Sequence, residues 1–172
     1  RDRQAEALCL AAAERGAMKT EAPAMHAQAS PYVSEMQVRF RHCDPAGIVF
    51  YPRYFEMIND FVEEWFDKAL GHSFHRLLTD MHLGIPTASI QCDFTAPSRW
   101  HDVLRQELAL RRIGGSSINF DVRFVGKDDQ RQRLAANATL VFVDVKSVRP
   151  APMPQALRER MASYLMPAAP AA

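Results

Sequence analysis

From Ser34 the chain alternates in character, with Met36, Val38 and Phe40 on one face and Glu35, Gln37, Arg39 and Arg41 on the other. A period of two belongs to a strand covered on one side by a core, so this segment predicts a first strand. Asp44-Pro45-Ala46-Gly47 then supplies turn residues, and Pro52 suits the first helical position, where its missing N–H costs nothing. Beyond it Phe55, Ile58, Phe61, Val62, Trp65, Phe66 and Ala69 recur at helical spacing. Arg53, Glu56, Asp60, Glu63 and Asp67 occupy the other side, and Gly71 marks the stop. This is the longest apolar stripe in the chain.

Period two returns from residue 85, where Pro86, Ala88, Ile90, Cys92 and Phe94 alternate with Thr87, Ser89, Gln91 and Asp93 as far as Pro97. Residues 103–113 form a third strand. After Gly114-Gly115, a fourth sets Ile118, Phe120, Val122 and Phe124 against Asn119, Asp121 and Arg123. A fifth runs from about Arg133 to Ser147, and its Leu140-Val141-Phe142-Val143 run is apolar on both faces, as expected of a central strand. Leu157, Met161, Tyr164 and Leu165 describe a short terminal helix before Pro167. One long helix and five mostly antiparallel strands joined by hairpin-length connections predict an α+β domain, with the helix packed on a curved sheet.

A length of 172 residues favours one domain. Residues 1–31 are alanine-rich and carry no aromatic side chain, so they read as an extension that is flexible or forms a short helix. Residues 32–150 form the domain, and 151–172 a terminal helix and tail. With 21 Lys and Arg against 20 Asp and Glu, the net charge of +1 offers no field for nucleic acid or an anionic membrane. No apolar run reaches the ~18–20 residues of a membrane span. In residues 5–13 the acidic flank of the apolar stretch argues against an export signal. Cys9, Cys43 and Cys92 are odd in number and widely spaced, which favours a reducing, cytoplasmic setting.

Candidate chemistry concentrates where the first strand meets the long helix. A helix start presents free N–H groups and partial positive charge, suited to a carbonyl oxygen that is gaining negative charge. A carboxylate beside it can attack the carbonyl carbon or deprotonate a water that does, which makes Asp44 a candidate nucleophile or general base. The same residues also make an ordinary turn before a helix, and spacing alone leaves both readings open.

Asp44-Pro45-Ala46-Gly47-Ile48-Val49, Tyr51-Pro52, Tyr54 and Phe55 resemble the 4-hydroxybenzoyl-CoA thioesterase family of hotdog-fold acyl-CoA thioesterases. The order of elements fits from about residue 34 to 147, with Gly84-x-Pro86 matching as well. The resemblance implies a hotdog fold, a curved antiparallel five-stranded sheet wrapped around a long central helix. It implies hydrolysis of an aromatic or short- to medium-chain acyl-CoA by Asp44, with the Tyr51 amide polarising the thioester carbonyl and Gly47 letting the backbone approach. It also implies a homodimer or homotetramer with sites between subunits, and no metal or organic cofactor. In the hydroxybenzoyl enzyme an acidic residue stands where this chain has Asn59, beside Asp60. Basic residues there line a turn occupied here by Gly114-Gly115-Ser116-Ser117, which leaves Arg111 and Arg112 just before it, and Ser116 and Ser117 with their hydroxyl and amide donors, as candidate contacts for the CoA phosphates.

Other constellations are weaker. His72, His75 and His82 fall in a predicted loop without a clear Cys or carboxylate partner, so a metal site is not expected. His42 and Cys43, as strand neighbours, point to opposite faces, and no GxSxG elbow, GxGxxG turn or P-loop is present. A non-catalytic acyl-CoA-binding hotdog domain is the alternative. A hotdog dehydratase would be expected to use His where Asp44 stands.

Overall fold

The computed structural model describes residues 29–166; the expected extension at 1–31 lies almost wholly outside them, as does the tail beyond 166. In chain order the elements are β1 (Tyr32–Gln37), α1 (Tyr51–Glu64), α2 (Phe74–Met81), β2 (Leu83–Gly84), β3 (Thr87–Phe94), β4 (Val103–Ile113), β5 (Ser117–Gly126), β6 (Gln132–Val141), β7 (Val143–Asp144) and α3 (Gln155–Ala162). Five strands form one antiparallel sheet in the order β1-β4-β5-β6-β3, and β2 pairs with β7 in a separate two-stranded ladder. The sheet is therefore not a run of hairpins. Residues 95–102 carry the chain from the β3 edge to β4, beside the opposite edge.

One face of the sheet packs against α1. Met57, Ile58, Phe61, Val62 and, in the π-helical turn Trp65–Ala69 that continues the helix, Trp65 and Phe66 are buried with Leu108, Phe120, Val122, Phe124, Leu134 and Leu140 of the strands. Phe61 meets Phe124 edge to face and stacks on Tyr32. Such ring pairs contribute roughly 0.5–1.5 kcal/mol beyond the area they bury. Glu64 ties β1 to the helix by accepting from the Tyr32 hydroxyl at 2.9 Å and the Ser34 hydroxyl at 2.8 Å. Burial works against the charge of Glu64, yet these hydrogen bonds and Lys68 hold its carboxyl below the ordinary value.

Four expectations require correction. β1 ends at Gln37, and Phe40–His42 forms a 3-10 turn closed by the Arg39 N–H donating to His42 Nδ1 at 3.0 Å, so Phe40 is 77% exposed rather than core. The expected loop with three histidines contains α2, whose start is capped by Ser73 accepting from the Arg76 N–H. The fifth strand stops at Val141: Phe142 N–H donates to the Ser116 carbonyl, and β7 leaves to pair with β2. Only Leu140 and Val141 of its apolar run belong to β6, an interior strand next to the β3 edge, while β5 holds the middle of the sheet.

The terminal helix is present and docked. Leu157 and Met161 of α3 are fully buried, and Arg160 donates to the Leu70 carbonyl where Gly71, at φ +62°, ends the π-helical turn.

Candidate functional site

Residues 43–49 form a tight hairpin closed by the Cys43 and Val49 pair. Asp44 N–H donates to the Ile48 carbonyl at 2.9 Å, and the Asp44 carbonyl accepts from Gly47 N–H at 2.9 Å. Asp44 Oδ1 accepts from Ala46 N–H at 2.8 Å, which fixes the half-buried carboxylate at the tip. Gly47 has φ +75°, a left-handed conformation that a side chain disfavours, although a Cβ there would meet nothing within 4 Å. Glycine is thus required here by the backbone and not by crowding.

The returning arm of this hairpin is anchored to the segment that leads into β4. Val49 N–H donates to the Ser98 carbonyl at 2.9 Å, and Ile48 bridges Arg99. Ser98 is fully buried, and its hydroxyl accepts from Tyr54 at 2.8 Å. The chain then enters α1 at Tyr51, one residue earlier than expected, with Pro52 second. Arg53 N–H folds back to the Phe50 carbonyl and Pro52 has no N–H, so the Tyr51 N–H is left as the unpaired donor of the first turn among the described residues. Hairpin and anchor thus join a fixed carboxylate to the positive end of a helix.

Beside Tyr51 lies an open groove of about 300 Å³ lined by Ile48, Val49, Tyr51, Tyr54, Phe94 and residues 95–97. Phe94 touches the rings of Tyr51, Tyr54 and Phe55. Phe55 also lines a second cavity of about 200 Å³, walled by Ile58, Val62, Phe74, Ile90, Phe120 and Leu140 among others, with Asn59 and Thr87 as polar members. Both spaces run along the face of α1 that looks toward β3.

His42 is buried below the hairpin. Burial lowers its pKa, Arg41 and Arg53 lower it further, and Glu56 and Asp60 partly oppose them. Asp60 therefore acts toward His42, whereas its neighbour Asn59 lines the second cavity. Burial raises the Cys43 thiol, with Asp44 and Asp102 adding to it, so Cys43 is no ready nucleophile.

The residues expected to meet CoA phosphates lie elsewhere. Arg111 donates to Asp121 at 2.6 Å on the sheet face away from α1, and Arg112 is exposed at an irregularity in β4. The turn at 114–117 packs under the C-terminal segment: Met153 N–H donates to the Gly115 carbonyl, Phe142 N–H to that of Ser116, Arg158 to that of Gly114, and Gly114 N–H to that of Ser117. Within one chain this turn is at the opposite end of β4 from Ser98 and Asp44. His72 faces the Leu70 carbonyl, His75 is on α2 and His82 caps it; among the described residues no group of three His, Cys, Asp or Glu is placed to hold a metal ion. Ser98 and Phe94 are site residues that sequence reading missed, since nothing in Pro97-Ser98 marks a serine that becomes buried.

Comparison with known proteins bears on this geometry. The thioesterase-like superfamily profile matches residues 24–161. Comparison with curated proteins by sequence finds no match. Among solved structures, the chain is similar to a 1,4-dihydroxy-2-naphthoyl-CoA thioesterase from Synechocystis, at 20% identity and TM-score 0.72, covering 77% of this chain and 96% of that one. It is also similar to a gentisyl-coenzyme A thioesterase, at 24% identity and TM-score 0.67, covering 76% and 99%. A Staphylococcus aureus protein solved in complex with CoA shares 12% identity at TM-score 0.73, covering 80% and 85%. At these identities the likeness is one of fold, the hotdog-like arrangement of five antiparallel strands on a long helix. The match over residues 24–161 takes in the whole hairpin, helix and sheet, and the chain belongs to the thioesterase-like superfamily.

Proposed function

We propose that the protein is an acyl-CoA thioesterase that hydrolyses an aromatic or short- to medium-chain acyl-CoA to the free acid and CoA. The observation that carries this reading is the pairing, across one hairpin, of the fixed Asp44 carboxylate with the unpaired Tyr51 N–H at the start of α1. The thioester carbonyl accepts from that N–H, which stabilises the oxyanion as negative charge develops. Asp44 either attacks the carbonyl carbon, expelling CoA thiolate and leaving an anhydride that water cleaves, or takes a proton from the water that attacks directly. Gly47 keeps the hairpin tip free of a side chain beside the reacting group. The reaction needs neither metal nor organic cofactor.

The acyl group extends along α1 past Phe55 toward Ile58 and Asn59. That cavity opens at β3, whose side chains are almost all exposed and whose outer edge has no strand partner among the described residues. An edge strand of this kind invites pairing. A second copy joined antiparallel at β3 would complete the cavity, giving a homodimer or, by further pairing, a homotetramer. Two of the cysteines, Cys43 and Cys92, are free thiols, in keeping with a cytoplasmic enzyme. No helix among the described residues is long and apolar enough to cross a membrane.

The test is thiol release from a panel of benzoyl, hydroxybenzoyl, phenylacetyl and aliphatic CoA thioesters. The reading expects release from at least one, and the preferred chain or ring names the acyl class. Binding of the panel without release would replace it with a non-catalytic acyl-CoA-binding domain.

A further inference from the structure

On the outer side of the Asp44 hairpin two large aromatic side chains stand in solvent. Phe40 is 77% and Trp100 is 55% exposed, and their rings meet edge to face at 5.9 Å. They come from separate segments, residues 38–42 and 98–102, which are joined by Val38 N–H to the Asp102 carbonyl and His101 N–H to the Val38 carbonyl. Trp100 also packs on the His101 ring at 4.7 Å. Neither ring has core to cover, since each sits at the tip of its turn.

Arginines flank the pair. Arg39 and Arg41 line an open depression with Phe40, and Arg99 precedes Trp100. None of these three has a carboxylate within ion-pair distance among the described residues, whereas Arg53, Arg105 and Arg123 are each matched by a glutamate. Of the nearby acids, Asp102 is engaged by the Arg99 N–H at 2.8 Å and by Arg133 at 3.6 Å, and Asp44 by the Ala46 N–H at 2.8 Å. The patch therefore presents flat π faces and unneutralised guanidinium groups together. An aromatic face takes any nucleobase by stacking, and guanidinium groups take phosphate oxygens in pairs.

We propose that this patch of Arg39, Phe40, Arg41, Arg99 and Trp100 binds the nucleotide end of the CoA substrate, its adenine on the aromatic pair and its phosphates on the arginines. The proposal rests on the acyl-CoA reading for its ligand and locates the phosphates on the chain that supplies Asp44. Contact between patch and hairpin is direct: Cys43 N–H donates to the Phe40 carbonyl and Ile48 bridges Arg99. The flexible pantetheine arm then has a short path from the patch to the groove at Tyr51. The turn at 114–117, packed under the C-terminal segment, is the competing location.

Two measurements test it. In the first, adenosine 3′,5′-bisphosphate is titrated calorimetrically into the wild type, Trp100→Ala, Trp100→Phe, the double variant Arg39→Ala/Arg41→Ala, Arg112→Ala and Arg149→Ala. Weakening on the order of tenfold or more is expected for Trp100→Ala and for the double variant. Trp100→Phe should recover much of the loss, and Arg149→Ala, which removes one exposed charge elsewhere, should bind as the wild type. In the second, kcat/KM for an acyl-CoA is divided by kcat/KM for the same acyl group on N-acetylcysteamine, which lacks the nucleotide. That ratio should fall in the same two patch variants. Unchanged binding in both, or loss in Arg112→Ala alone, overturns the proposal, as does a change of molecular mass in Trp100→Ala, which would make the patch an interface between copies. Nucleotide binding lost at the patch while no thioester is hydrolysed would uphold the site and refute the enzymatic reading instead.

Discussion

At the scale of single residues, the hairpin tip and the imidazole beneath it carry separable predictions. Gly47→Ala places a side chain in a φ +75° conformation with open space around it, so it should cost about 1–2 kcal/mol from backbone strain alone. Urea unfolding checks this, and a loss near zero would mean that the backbone there relaxes freely. His42 has a pKa below the ordinary 6.5, chiefly from burial and then from Arg41 and Arg53. A histidine held below its unfolded value stabilises the fold fully above about pH 6.5, and that contribution is lost as pH falls toward the folded value. The wild type should therefore lose stability between pH 7 and 5 more steeply than His42→Asn, whose carbonyl can still accept from the Arg39 N–H. Parallel slopes would show that His42 does not control this window. The carboxylate and its turn were legible as residue types, because Asp-Pro-x-Gly before a helix has few meanings. Phe40 was misread because strand alternation continues in the sequence past the point where His42 turns the backbone.

At the scale of elements, the Tyr54 to Ser98 contact is the strut between α1 and the segment feeding β4. Tyr54→Phe keeps the ring but leaves the fully buried Ser98 hydroxyl without its donor, at a cost of about 1–2 kcal/mol. Because the Ser98 carbonyl also holds Val49 N–H, turnover should fall several-fold while KM changes little. Steady-state kinetics that changed KM alone would assign Tyr54 to substrate binding instead. The long helix and all five sheet strands were readable from periods of 3.6 and two, since apolar side chains recur along one face of each, even in β3, which the single chain leaves largely exposed. Short pieces were not. α2 has a single buried apolar residue, Leu77, and β2 and β7 have two residues each, too few to show a period. Strand order was equally hidden. A connection such as residues 95–102 reads as a hairpin by length, and the crossover is decided by which edge is free to pair.

At the scale of the whole molecule, the isolated chain leaves β3 exposed along both faces, with Ile90 at 39%. Light scattering should give a mass that is twice or four times 19.4 kDa. Ile90→Lys, which puts charge on that edge, should shift the mass toward one chain and reduce turnover with it. A monomeric wild type with full activity would refute a shared site. The most direct test of the central claim is the rate of thiol release by Asp44→Asn against the wild type on the best thioester of the panel. Asparagine keeps the side-chain carbonyl that accepts from Ala46 N–H and loses the charge, so fold and binding persist while attack or proton transfer does not. A fall in kcat of a hundredfold or more, on the order expected for a lost general base or nucleophile, with an unchanged melting temperature is the predicted result. Turnover equal to the wild type would remove Asp44 from the chemistry and contradict the account.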